Sequence, residues 1–164
     1  MELTVIMENK INIIFDFSGS MTELGKSAVL KSMVFRLRTI ADRNGVKAGF
    51  FLWQNEIIPF KEMWDIDPVG RINPTALADF ITAKPLGEKY LLLSDGISDL
   101  ESVSTISKAL TVSKAVLLTV AIGRDANRRS LAEISNDKSI WSSADVLQAM
   151  DYLCHGVVNE EESS

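Results

Sequence analysis

Two apolar runs in this chain end in the same way. Ile11-Asn12-Ile13-Ile14-Phe15 stops at Asp16, and Tyr90-Leu91-Leu92-Leu93-Ser94 stops at Asp95-Gly96. Short, nearly continuous apolar runs rich in β-branched and large side chains are what parallel strands covered on both faces require. An acid at the end of each run therefore stands at the carboxyl edge of a sheet, where open α/β sheets bind ligands. As parallel neighbours, the two strands bring Asp16 and Asp95 to one edge. After Asp16 the chain reads Phe17-Ser18-Gly19-Ser20. The glycine permits a tight turn and close backbone approach. An acid with two hydroxyls offers hard oxygen donors, which suit magnesium or manganese, ions that prefer about six oxygens and keep several waters. Because hydroxyls are neutral, such an ion stays under-neutralised and open to a carboxylate from outside.

The remaining elements follow from periodicity and punctuation. Leu24, Ala28, Leu30, Met33, Val34, Leu37, Ile40 and Ala41 recur at helical spacing until Asn44-Gly45. Lys26, Lys31, Arg36, Arg38 and Arg43 read as that helix's solvated face. Residues 46–53 and 56–60 are strands around a Gln54-Asn55 turn, a hairpin whose Pro59 requires an edge position. Residues 61–72 read as a loop. Asn73-Pro74 starts a short helix with Leu77, Phe80 and Ile81 inward. Ser98 and Glu101 fit a capping box before the stripe Leu100, Val103, Ile106, Leu110. A strand over 115–122 ends at Gly123, a short helix spans 127–135, a brief strand 139–141, and Ser143 caps a last helix. Leu3 to Met7 is an extra strand or packs against the core. The expected fold is α/β: a doubly wound, mostly parallel six-stranded sheet with one antiparallel edge strand and helices on both faces. One domain covers 1–158, and the acidic stretch 159–164 is expected to fray.

Composition limits function more than it specifies it. A net charge of −5 disfavours nucleic acid as a partner. One cysteine, Cys154, and one histidine, His155, assemble neither a disulfide framework nor a zinc cluster nor a defensible Ser-His-Asp triad. No apolar run reaches membrane-spanning length. The start of the chain has acids among its apolar residues and no basic segment, so no secretory signal is expected and the chain reads as cytoplasmic.

Asp16-Phe17-Ser18-Gly19-Ser20 resembles the Asp-x-Ser-x-Ser signature of von Willebrand factor A (vWA) domains, and the likeness extends along the chain. Leu91 to Asp95 with Gly96 resembles the second acidic strand end of that family. Ile122-Gly123 through Leu131, Glu133 and Ile134 is similar to its penultimate strand, glycine and helix. The resemblance implies a metal-ion-dependent adhesion site at Asp16, Ser18, Ser20, Thr75 and Asp95, holding magnesium or manganese. Thr75 departs from pattern, since Asn73-Pro74 stands where glycines usually precede this threonine, and a threonine in a first helical turn is the plainer account. Asp65, Asp67 and Asp99 read as solvated loop charges. What the resemblance implies is a non-enzymatic module that binds an acidic side chain of another protein, such as an ATPase or a component of a multi-protein assembly.

Two other readings are open. A scaffold using other surfaces would leave the metal site vestigial, with Trp53 and Trp64 as interface anchors if they are exposed rather than core. A magnesium-dependent phosphohydrolase also begins with a strand ending in aspartate, but it needs a second aspartate where this chain has Ser18.

Overall fold

The computed structural model describes residues 10–18, 26–61, 72–97 and 99–155. Six strands form one sheet: β1 (Lys10–Asp16), β2 (Lys47–Trp53), β3 (Ile57–Pro59), β4 (Lys89–Ser94), β5 (Val116–Ala121) and β6 (Ile140–Ser142). Their order is β3-β2-β1-β4-β5-β6, with β3 antiparallel to β2 and every other pair parallel. Five helices connect or follow them: α1 (Lys26–Arg43), α2 (Pro74–Ala83), α3 (Leu100–Val112), α4 (Arg128–Ile134) and α5 (Val146–Cys154). This is the expected α/β architecture, with a mixed six-stranded sheet and its one antiparallel strand at the edge.

Period-two alternation along β1 sorts the core into two layers. Ile11, Ile13 and Phe15 face a layer built with Leu30, Met33 and Leu37 of α1 and Val146, Met150 and Leu153 of α5. Ile14 faces the other, built with Leu77 and Ile81 of α2, Val103 and Ile106 of α3, and Ile134 of α4. Both faces of β1 are thus covered, which is why Ile11 to Phe15 is apolar but for Asn12. The chain leaves β1 toward β2 and β3, then returns through α2 to β4 on the other side of β1. The strand order therefore reverses between β1 and β4, and that reversal opens a crevice at their carboxyl ends.

Several local expectations are corrected. Lys26 is buried, with 1% exposure, while Ala28 is exposed. Gln54, Asn55 and Glu56 together connect β2 to β3, closed by a hydrogen bond from the Gln54 N–H to the Glu56 carbonyl at 3.0 Å. The α3 cap is Asp99, whose carboxylate accepts from the Ser102 N–H at 2.7 Å and the Ser102 hydroxyl at 2.9 Å. Asp99 is a helix cap and not a free loop charge. Ser143 opens a 3-10 turn over Ser143–Asp145, and α5 begins only at Val146. Phe80 and Leu147 are half-buried at the borders of the two core layers. Trp53 is fully buried and donates its indole N–H to the Asn73 carbonyl at 2.8 Å, so it is no surface anchor. His155 is exposed and pairs with Asp151 at 3.3 Å. The expectations for Leu3–Met7, Ser20, Trp64, Asp65, Asp67, Ser98 and residues 159–164 lie outside the described residues. Among the described residues, no helix is long and apolar enough to cross a membrane.

Candidate functional site

Asp16 closes β1 with its carboxylate fully buried. One oxygen, Oδ1, accepts the Ser18 backbone N–H at 3.1 Å; the other, Oδ2, accepts the Ser94 hydroxyl at 2.6 Å. The Ser94 Oγ in turn accepts the Gly96 N–H at 2.9 Å. A chain of hydrogen bonds thus runs from the end of β1 across to the loop after β4, fixing the two acidic strand ends relative to each other. Burial pushes the Asp16 carboxyl up to about 6, against the opposing hydrogen bonds from Ser94 and Ser18 and with a small upward push from the charge of Asp95. Ser18 is itself buried beside it.

Thr75 lies in the first turn of α2, exposed, with its N–H accepted by the Asn73 side chain at 3.1 Å. That turn is stitched to the same sheet edge. The Asn73 N–H donates to the Gln54 carbonyl at 2.9 Å, and the Gln54 side chain donates to the Phe17 carbonyl at 3.0 Å. Asparagine and proline therefore cap and start the helix as expected, and the cap residue doubles as the tie to β2. Ser20, the remaining expected donor, is outside the described residues.

Asp95 has a partner that the sequence reading did not assign. The Lys26 ammonium lies 3.1 Å from Asp95 Oδ2 and 2.7 Å from Asp125 Oδ1. Burial alone would lower the pKa of Lys26, but its hydrogen bonds to Asp125 and Asp95 outweigh that and raise it. The Asp125 carboxyl is held below its usual range by the hydrogen bond from Lys26. Room for the lysine stem comes from Gly123, at φ +91°, where a Cβ would stand 2.5 Å from Lys26 Cε. The neighbouring loop also closes on Asp95 through Asn127, whose N–H donates to the Asp95 carbonyl at 2.7 Å and whose side chain donates to the Ile97 carbonyl at 3.2 Å. Gly96, at φ +122°, admits that approach, since a Cβ there would lie 2.5 Å from Asn127 Cβ.

The spacing of α1 carried a signal for the buried lysine. Lys26, Leu30, Met33 and Leu37 follow one another at i, i+4, i+7 and i+11, so Lys26 lies on the buried stripe and not on the basic face. Ser94 and Asp125 carried no such signal, because each acts through a partner distant in sequence.

No family profile matches the sequence, and no curated protein matches it either. Solved structures do match by shape. Proximal thread matrix protein 1 from the mussel byssus superposes with a TM-score of 0.64 at 16% identity, over 90% of this chain and 47% of that one. BatB from Bacteroides thetaiotaomicron gives 0.63 at 12% identity, over 90% and 99% respectively. The fold is vWA-like. A manganese-loaded TRAP protein from Plasmodium vivax gives a TM-score of 0.65 at 14% identity, over 90% of this chain and 73% of that one. At these identities the likeness carries the architecture alone. On that vWA-like frame, the switch point carries a set of oxygen donors.

Its chemistry fits a hard divalent cation: carboxylates at Asp16 and Asp95, hydroxyls at Ser18 and Thr75. Among the described residues, no three carboxylate, histidine or cysteine side chains cluster to hold an ion, so hydroxyls and water would have to complete the sphere. Both Asp16 oxygens already accept hydrogen bonds, which suits a carboxylate that orients neighbouring donors. The Lys26 ammonium is the element that a simple cation site would lack.

Proposed function

We propose that the chain is a binding module that recognises an acidic side chain of another protein through a magnesium or manganese ion at the β1/β4 switch point. Asp16, Ser18 and Asp95 would hold the ion, with Ser20 and with Thr75 from the first turn of α2. The ion would supply a positive charge with a free coordination position for the partner's carboxylate. The observation that carries the reading is the Asp16–Ser94–Gly96 hydrogen-bond chain, which locks both acidic strand ends at one crevice. The manganese in the TRAP structure supports a divalent ion on such a fold. An ion bound only by the folded chain must stabilise it. Melting temperature measured with Mg²⁺ or Mn²⁺ is expected to rise for the native chain and to stay flat for Asp16→Ala. Capture of a partner is expected to fail in chelator. A native chain whose melting is indifferent to both ions sinks this reading.

The scaffold reading has one observation in its favour: the Lys26 ammonium is itself a counter-charge for Asp95, at 3.1 Å. Binding to a partner with native affinity in the presence of chelator distinguishes it. Phosphoryl transfer is not supported, since Ser18 stands where a second aspartate would have to serve as acid and base.

A further inference from the structure

We infer that Lys26 is the resident cation of this edge, holding Asp95 until a divalent ion takes that carboxylate from it. The inference rests on the metal-dependent reading above and adds to it a competitor supplied by the chain itself. The ammonium is 3.1 Å from Asp95 Oδ2, and its side chain is 1% exposed, so no solvent shell screens it from a second cation on the same carboxylate. An ion bound at Asp95 would meet a like charge across a single carboxyl group, and the two would compete for its negative charge. The lysine has somewhere to go. Asp125 lies at 2.7 Å on the outer side, with 48% of its side chain exposed, and already shares the ammonium with Asp95.

The arrangement is built rather than incidental. Lys26 occupies an apolar position of the α1 stripe, its stem runs past the bare Cα of Gly123, and its two carboxylates come from the loops after β4 and after β5. A lysine serving only as a surface charge would need none of this. The exchange also defines the ligand. With the ammonium still nearby, an ion at the crevice carries surplus positive charge, and a partner carboxylate removes it.

Two measurements on the full chain test the exchange. The affinity for Mn²⁺ alone, read by the loss of the free-ion paramagnetic signal, is expected to be at least tenfold higher in Lys26→Gln, which retains a hydrogen-bond donor but not the charge. In the native chain, amine acylation followed by mass spectrometry is expected to find Lys26 protected without metal and labelled several-fold faster at saturating Mn²⁺. The second needs no variant, so it decides the matter even if Lys26→Gln does not fold. Equal or weaker Mn²⁺ affinity in Lys26→Gln, or a Lys26 that stays protected while Mn²⁺ is bound, overturns the exchange and leaves the metal-dependent reading standing. Failure of both chains to bind Mn²⁺ overturns both.

Discussion

Asp16 is a carboxyl group held where its charge is costly. Its pKa of about 6 in the folded chain stands above the ordinary 3.8, so the protonated form is favoured by folding. The associated stability is fully present below pH 4 and is lost as pH rises through 6. Two units correspond to about 3 kcal/mol. The native chain should therefore lose roughly that much relative to Asp16→Asn between pH 4 and pH 6.5, and urea denaturation of both proteins across that window measures it. A constant difference would show that Asp16 ionises freely. At Gly123 the expectation is steric: Gly123→Ala forces a side chain into a positive-φ position and against Lys26 Cε, and should destabilise by roughly 1–3 kcal/mol in the same assay. The carboxylates at the site were legible in the sequence because strand grammar places them. The lysine was not, because a basic residue on a helix with four other basic residues invites the solvated reading. Only its phase on the apolar stripe says otherwise.

Helix starts show why element boundaries were read unevenly. Asn73-Pro74 was legible because proline at the first helical position leaves the cap no alternative. At α3, Ser98 and Asp99 are adjacent candidates of nearly equal capping strength. The aspartate makes the cap, since it reaches both the N–H and the hydroxyl of Ser102. Asp99→Ala should cost about 1 kcal/mol by thermal or chemical unfolding. Asn73→Ala should cost a similar amount and also loosen the α2 turn that carries Thr75, because it removes the side-chain acceptor of the Thr75 N–H and leaves only the backbone bonds to Trp53 and Gln54. A Thr75 that contributes to metal affinity would make Asn73→Ala weaken Mn²⁺ binding, which titration detects. The hairpin was legible as a hairpin, but its loop length was not, since Glu56 runs directly into the apolar Ile57-Ile58 pair in sequence and closes the turn in space.

At the scale of the whole molecule, the two-layered sheet follows from strands that are apolar on both faces. Leu92, fully buried among residues of α2 and α3, should cost 2–5 kcal/mol when replaced by alanine. Ile58, on the edge strand with 47% exposure, should cost much less in the same unfolding experiment. Of the strand order, only the β2–β3 hairpin and the pairing of the two acid-ended strands were legible, since the crossover rule sets handedness and not order. The crevice between β1 and β4 follows from that order, whereas the hydrogen bonds spanning it depend on side-chain placement that no local pattern encodes.

The outer margin of the sheet has its own consequence. Phe60 donates its N–H inward to the Phe50 carbonyl, so the alternate position, Pro59, turns its nitrogen away from β2. That nitrogen carries no hydrogen. A stray extended chain drifting alongside β3 would find only three residues to grip, with a donor missing from the row it must read. Along this margin, crowded copies of the protein meet a poor template for stacking edge to edge into fibrils.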